Sequence, residues 1–243
     1  MYEALSGLTD LGVLALEPPG RGSALLIGLV NSLYIAVGAY ALGIIIGSLG
    51  ACGKLYGGRT IRDLLEVYTT VVRAVPEIVL ILLLYYSGTD GLNRLLALMG
   101  HAPVDINGLA AGIIVLGFNQ GAYATEIIRG AIKAVSFGQI EAARAFGMGP
   151  LKTFRRITLP AMLPHALPGL SNLWLVATKD TALLAIVGFM ELTFATRQAA
   201  TATKYYITFF LAASFLYLLV SILSTVIIKI LERRSRRGIP KVA

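Results

Sequence analysis

The chain has 243 residues, of which 56% are hydrophobic and 14% are charged, and its mean hydropathy is +0.76. Soluble domains carry about 25% charged residues, so this composition excludes an ordinary soluble domain and indicates a membrane protein. The net charge of +8 would suit nucleic acid, but no basic surface interleaved with aromatic residues lies outside the membrane-flanking segments, so we expect no nucleic-acid partner. The single cysteine, Cys52, excludes an intramolecular disulfide and a cysteine-based metal cluster.

Apolar stretches of about 20 residues, the length that a helix needs to cross a bilayer core of about 30 Å, recur at five places. They predict an all-α, multi-pass integral membrane protein with one domain over residues 1–243 and five transmembrane helices. Residues 1–22 carry Glu3, Asp10 and Glu17, so we expect an external leader rather than a cleavable signal peptide. The predicted spans are residues 25–49, 64–86, 109–128, 167–190 and 207–231.

Lysines and arginines are divided unequally by these spans. Only Arg21, Arg94, Arg197 and Lys204 fall on one side, whereas fifteen others fall on the other side, in the loops after the first and third spans and towards the carboxyl terminus. Because the cytoplasmic side carries the excess of positive charge, this asymmetry predicts an external amino terminus and a cytoplasmic carboxyl terminus. The lipid bilayer is then a partner, with anionic headgroups facing the basic cluster at residues 233–237.

Charged residues interrupt the second and fourth spans. Each costs about 2.5–3.5 kcal/mol on insertion scales, so such residues usually face a cavity, a partner protein or an ion pair. Pro76 breaks the helical hydrogen-bond ladder just ahead of Glu77, which can leave backbone polar groups pointing into a cavity. The residues concerned are Arg73, Glu77, Lys179 and Asp180.

The cytoplasmic segment at residues 131–163 is too long for a simple connection and has a helical pattern. Ser136 and Gln139 have the spacing of a capping box, in which both side chains bond to free backbone N–H groups at the start of a helix. Gly147 predicts the end of this helix, since glycine readily adopts the left-handed conformation found there. Between them, the helix contains Glu141, Ala142, Ala143, Arg144 and Phe146.

A second short helix, residues 151–158, is predicted to end before Leu159 and Pro160, because the residue ahead of a proline disfavours the helical conformation. Together, these two helices resemble the EAA loop of bacterial ABC-importer permeases. The matching residues are Glu141, Ala142, Ala143, Gly147, Ile157, Thr158, Leu159 and Pro160.

Three further segments narrow the resemblance to polar amino-acid permeases. Residues 123–130 resemble the Y-x-x-E-x-x-R-G segment of that group, and residues 179–183 resemble its K-D/S-T-S/A-L segment. Residues 73–76 resemble its R-G-x-P segment, with alanine in place of glycine. The resemblance covers nearly the whole chain and is greatest for the first permease subunit of histidine/lysine/arginine/ornithine importers and of opine importers.

The resemblance implies a type I importer permease core in the bacterial inner membrane, with a coupling-helix loop between helices 3 and 4. It implies two permeases, two cytoplasmic ATPase subunits and a periplasmic or external solute-binding protein, with a heterodimer of permeases favoured over a homodimer. ATP and magnesium would bind the ATPase subunits. In this chain Gly53 and Lys54 lack the first glycine and the metal-binding hydroxyl of a phosphate loop, so we expect no bound cofactor and no enzyme activity.

The expected cargo is a basic amino acid, namely arginine, histidine, lysine or ornithine, or an opine. Glu77 would bind a cationic side chain, since an acid at this position is typical of basic-amino-acid permeases, although an i, i+4 pair with Arg73 is an alternative. Asp180 or Thr181 would hold an ammonium group, or Lys179 and Asp180 would serve the interface between the permeases. Asn172 is a weaker candidate for the same lining.

We interpret residues 136–146 as a coupling helix seated in a groove of the ATPase, with an interfacial amphipathic helix as the alternative. An intramembrane enzyme is disfavoured because the chain lacks the serine, aspartate and zinc motifs of such enzymes. His101 and His165 have no second ligand at a useful spacing, so no metal site is expected. A permease for another small solute, and less favourably a passive channel, are the alternatives.

Overall fold

The structure is a computed structural model that describes residues 11–102 and 108–235. Glu3, Asp10, Arg236 and Arg237 therefore lie outside the described residues. Within them the regular structure is helical throughout, as the sequence predicts. After a 3₁₀ turn at Leu11–Leu14, the helices are α1 (Gly22–Tyr56), α2 (Arg59–Ala74), α3 (Glu77–Leu98), α4 (Gly108–Lys133), α5 (Phe137–Ala145), α6 (Pro150–Thr153), α7 (Leu159–Asp180), α8 (Leu192–Thr203) and α9 (Tyr206–Ser235).

The centre of the bundle is the contact between α1 and α4, where small residues allow a close approach. A Cβ atom added to Gly47 of α1 would lie 2.4 Å from the Cβ of Ala124. At Gly43, one turn earlier, an added Cβ would lie 2.9 Å from the Cβ of Gln120. The two backbones are therefore too close for any larger residue at these positions.

The second predicted span, residues 64–86, is not one helix. α2 ends at Ala74, α3 begins at Glu77, and the two axes differ by 116°. Val75 is extended, with φ −86° and ψ 138°, because the ring of Pro76 disfavours the helical conformation of the residue before it. The sequence located the interruption at Pro76, and the structure shows that it separates two helices.

The predicted end of the cytoplasmic helices before Pro160 is wrong. α6 passes through a π-helical turn, Phe154–Thr158, into α7 without a break, and the Leu159 N–H donates to the carbonyl of Phe154. Pro160 directly follows the π turn, whose wider backbone leaves room for the proline ring within the continuous helix. Two more prolines, Pro164 and Pro168, lie inside α7.

Three helical segments of the described chain are long and apolar enough to cross a membrane on their own, and the bent pair α2 and α3 adds a fourth candidate. α4, the predicted third span, is not among them. Its polar and charged residues include Asn119, Gln120, Glu126 and Arg129, and the first two are buried inside the bundle. The count of five spans therefore stays a prediction. The three single segments are Gly22–Tyr56, Pro150–Val187 and Tyr206–Arg234.

Candidate functional site

A cavity of about 300 Å³ lies between the start of α3, the middle of α4 and the middle of α7. The sharp turn at Pro76 makes Glu77 the first residue of α3 and places it on the cavity wall. Two predicted candidates, Glu77 and Asn172, are thereby brought to one cavity although they are far apart in the chain. The lining residues are Glu77, Tyr123, Ile127, Gly169, Asn172, Leu173 and Val176.

Asp180, a third candidate, is the last residue of α7, and its side chain is buried. Its carboxyl group lies within interaction distance of the Glu77 carboxyl, and its Oδ2 accepts a hydrogen bond of 3.0 Å from Nε2 of Gln120. No lysine or arginine in the described ranges comes within ion-pair distance of either acid. Like charges repel strongly in a buried site, so a cationic group between these carboxyls would relieve the repulsion.

Lys179 and Asp180 do not act as an adjacent ion pair. Consecutive side chains of a helix point about 100° apart, given 3.6 residues per turn. Asp180 accordingly faces the interior, whereas Lys179 is exposed on the surface of α7. The two side chains therefore point in different directions, Asp180 to the interior and Lys179 to the surface.

Arg73 does not pair with Glu77. The i, i+4 interaction needs a continuous helix, and the break at Val75 and Pro76 removes it. Among the described residues no ion pair joins Arg73 to Glu77; instead the guanidinium carbon of Arg73 lies 5.7 Å from the ring centre of Tyr123. The structural pair considered as an alternative is thus not formed.

Thr181 lies away from the cavity. It begins the 3₁₀ segment Thr181–Val187, its side chain is fully buried, and its hydroxyl donates to the Thr178 carbonyl at 3.0 Å. The Thr181 hydroxyl therefore donates its hydrogen bond inside the bundle. Of Asp180 and Thr181, Asp180 is the residue that lies near Glu77.

Three polar residues of α4 were missed as site candidates. Tyr123, which was noted only as part of a family segment, lines the cavity. Asn119 and Gln120 are fully buried, and Oε1 of Gln120 and both polar atoms of the Asn119 side chain lack a hydrogen-bond partner among the described residues. Buried polar atoms are normally paired, so these three atoms mark a polar interior. The sequence feature that could have identified them is the pair of consecutive amide side chains, Asn119 and Gln120, inside an apolar span.

The helix α5 begins where the sequence predicted, but by a different contact. Ser136 occupies the N-cap position, yet its hydroxyl makes no capping hydrogen bond, and its backbone carbonyl accepts from the Gln139 N–H at 3.1 Å. The predicted capping box is therefore not formed, and that prediction is wrong. The start of α5 is held by a backbone turn, and the exposed side chain of Gln139 is not needed for it.

The end of α5 is as predicted. Gly147 has φ +72°, its N–H donates to the Arg144 carbonyl at 2.8 Å, and the Met148 N–H donates to the Ala143 carbonyl at 3.0 Å. These two bonds form a Schellman motif, which requires a left-handed residue and favours glycine. Gly147 thus sets a sharp turn between α5 and α6.

The outer surface of this segment combines exposed apolar and basic side chains. Phe146 and Leu151 are 86% and 81% exposed. Glu141, Ala142 and Arg144 are also exposed, whereas Ala143 is buried against the protein and Ile157 and Leu159 are half-buried. Exposed large apolar side chains beside charged ones are typical of a protein contact surface. A recess beside Leu151 is lined by Gly149, Pro150, Leu151, Lys152, Arg155 and Arg156.

A metal centre finds no support in the part of the chain that the structure describes, where no group of three histidine, cysteine, aspartate or glutamate residues is arranged to hold an ion.

Known proteins similar to this chain are membrane components of transport systems. A family model described as "Binding-protein-dependent transport system inner membrane component" matches residues 25–237. The histidine/lysine/arginine/ornithine transport system permease protein HisQ of Escherichia coli (strain K12) is 40% identical over 222 residues, covering 91% of this chain and 97% of the relative. The nopaline transport system permease protein NocQ of Agrobacterium fabrum (strain C58 / ATCC 33970) is 38% identical over 234 residues, covering 95% and 98%. A solved amino acid ABC transporter with histidines matches with TM-score 0.74 and 28% identity over 88% of this chain and 94% of that chain.

Proposed function

Because the chain belongs to the family of binding-protein-dependent transport system inner membrane components, we propose that it helps to import basic amino acids or opines across the bacterial inner membrane. As a permease subunit it works with an ATPase and a binding protein, and the ATPase activity lies in the partner. The names of the relatives support this range of cargo, since they include histidine, lysine, arginine, ornithine and nopaline. We further propose five spans, an external amino terminus and a cytoplasmic carboxyl terminus.

The observation that carries the proposal is the proximity of Asp180 to Glu77, which lies on the cavity wall, with no basic residue of the described chain within ion-pair distance of either acid. An ammonium or guanidinium group of the cargo would take the place of that missing counter-charge. Asn172 and Tyr123, on the same wall, offer an amide and a hydroxyl for the remaining polar groups of an amino acid.

One continuous helical segment links the cavity to the predicted cytoplasmic segment at residues 131–163. From Pro150 the chain is helical without interruption through the π turn and α7 to Asp180. We propose that α5 is a coupling helix seated in the ATPase, and that closure of two ATPase subunits on ATP and magnesium swings α4 and α7 together. A continuous helix would transmit this displacement to Asp180.

A second permease, unlike this one, would complete the pathway, and an external solute-binding protein would deliver the cargo. The exposed face of α7 supports this arrangement, because Lys179 and Asn172 both lie on the surface of this subunit. An exposed ammonium group inside a lipid-facing surface would be costly, whereas a protein or aqueous pathway would accommodate it.

The proposal is tested by uptake and ATPase measurements on the reconstituted transporter with binding proteins loaded with cationic, neutral or acidic amino acids. Cationic ligands should stimulate ATP hydrolysis and uptake, and Glu77→Gln should reduce both for cationic ligands. Asp63→Asn, which changes an exposed acid of α2, is the matched control and should behave as the natural chain. Equal stimulation by cationic ligands in Glu77→Gln would remove Glu77 from the site, and stimulation by neutral ligands alone would overturn the proposed cargo.

A further inference from the structure

A buried ammonium group lies outside the cavity lining and contacts α4 at Glu126, between the cavity residues Tyr123 and Ile127. Lys54 is near the end of α1, and its side chain is only 2% exposed. Its Nζ donates to Oε2 of Glu66 at 2.7 Å, to Oγ1 of Thr69 at 2.6 Å and to Oε1 of Glu126 at 2.6 Å. An ammonium group has three protons, so these three bonds use all of them.

The acceptors come from two other helices. Glu66 and Thr69 belong to α2, and Glu126 belongs to α4. The second oxygen of Glu126 accepts hydrogen bonds from Nε and from a terminal nitrogen of Arg129, one turn nearer to the coupling helix. One lysine therefore joins three helices, and its network contains two cations and two carboxylates.

This polar contact matters because apolar packing holds α2 weakly. Among the sixteen residues of α2, all of them described, the buried ones are Thr69 and Val72. The other long-range polar bond of this helix runs from the Tyr68 hydroxyl to the Phe118 carbonyl of α4, at 2.6 Å. Hydrogen bonds to α1 and α4 therefore contribute to the position of α2 beside the apolar contacts of Tyr68 and Val72, and Lys54 supplies two of these bonds.

The two helices that Lys54 joins lead to the two sites described above. α4 ends at Lys133 and is followed by α5, the coupling helix. α2 ends at Ala74, and the turn at Pro76 connects it directly to Glu77 on the cavity wall. A displacement of α4 that α2 did not follow would separate Glu77 from Asp180.

We propose that Lys54 is a positioning residue for coupling: its three hydrogen bonds make α2, and with it Glu77, follow α4 when the coupling helix moves. The inference rests on the proposed function, because it takes α5 as the contact with the ATPase. A buried ammonium is suited to this role, since its bonds are charge-assisted and breaking them would leave a nearly fully buried cation unpaired. Lys54 acts through Glu66, Thr69 and Glu126 and touches no substrate.

The decisive readout is the number of ligand molecules taken up per ATP hydrolysed by the complete reconstituted transporter with arginine-loaded binding protein. A purely structural lesion lowers uptake and hydrolysis in proportion, whereas loss of coupling lowers their ratio. Lys54→Met should lower the ratio about tenfold while ATP hydrolysis continues. Lys229→Met, an exposed lysine of α9, is the matched control and should leave the ratio unchanged.

A distance measurement tests the same inference independently of activity. With Cys52→Ser as background, spin labels at Arg62→Cys on α2 and Lys133→Cys on α4 report the separation of the two helices with and without bound ATP. The separation should stay constant across the two states with Lys54 present and should change between them in Lys54→Met. If Lys54→Met does not assemble, Lys54→Arg is measured in the same way and should show an intermediate loss.

An unchanged ratio in the assembled variant, or a constant helix separation in both chains, would overturn the role of Lys54. Failure of the proposed function has a different signature. In that case the natural chain and Lys229→Met would themselves show no ATP-dependent arginine uptake.

Discussion

Gln120 donates a hydrogen bond of 3.0 Å to Asp180, and both residues are buried where α4 meets α7. The contact joins residues far apart in the chain and orients one oxygen of a carboxylate that has no cation within ion-pair distance among the described residues. Gln120 thus helps to orient the Asp180 carboxyl group near Glu77.

Gln120→Leu should weaken uptake of cationic cargo, because Asp180 would lose its donor and be free to rotate. A hydrogen bond to a charged group contributes about 1.5–3 kcal/mol, so the ligand concentration for half-maximal uptake should rise about tenfold or more. Gln198→Leu, at an exposed position of α8, is the matched control. Equal half-maximal concentrations in the two variants would show that Asp180 needs no orienting bond.

Gly147→Val should impair coupling without preventing membrane insertion. A β-branched residue at φ +72° is strained by about 1–3 kcal/mol, so the Schellman turn would open and α5 would change its direction relative to α6. ATP hydrolysis and uptake are measured together, with membrane insertion checked by fractionation. Gly58→Val is the control, because Gly58 has an extended backbone and open space around it and belongs to neither α5 nor α6. Undiminished uptake by Gly147→Val would contradict the role of this turn.

Phe146→Ala should weaken assembly with the ATPase while leaving the permease itself stable. Phe146 is 86% exposed, so its removal should change the free energy of unfolding by less than about 0.5 kcal/mol. A central aromatic anchor contributes about 2 kcal/mol or more to a protein interface, which corresponds to an affinity loss of about 30-fold. The affinity is measured by binding purified ATPase to the permease in nanodiscs. Phe215→Ala, an exposed phenylalanine of α9, should bind as the natural chain does.

Gly47→Leu should prevent correct packing of α1 on α4. Even a Cβ at this position would lie 2.4 Å from the Cβ of Ala124, and overpacking of this kind costs about 1–3 kcal/mol or more. Thermal unfolding in detergent should show a lower midpoint than for the natural chain. Gly88→Leu in α3, where an added Cβ meets nothing within 4 Å, provides the comparison. Equal unfolding midpoints for the two variants would mean that α1 and α4 can move apart without loss of stability.

Several structural features follow from local sequence. The class of protein follows from composition, and the end of α5 follows from Gly147, because helix ends depend on a few neighbouring residues. The site residues Glu77 and Asp180 could also be selected, since charges inside apolar spans are costly wherever the helices lie. The resemblance to importer permeases is confirmed by the family match and by relatives that cover most of the chain.

Errors arose where a local rule met a tertiary constraint. Pro160 predicted a helix end, but the π turn before it allowed α7 to continue. Arg73 and Glu77 had the spacing of a helical pair, but the 116° bend at Pro76 turned them onto different helices. A spacing rule holds only while the helix that defines it is unbroken.

The sequence by itself determined the helical fold, the family, the position of α5 and the unusual charges, because each depends on composition or on residues within a few turns. Only the tertiary structure decided which of those charges meet. The meeting of Glu77 with Asp180, the bond from Gln120 and the three bonds of Lys54 join residues of different helices. Such contacts depend on how each helix is rotated and how closely it packs, and glycines such as Gly47 set that distance through partners that no local pattern identifies.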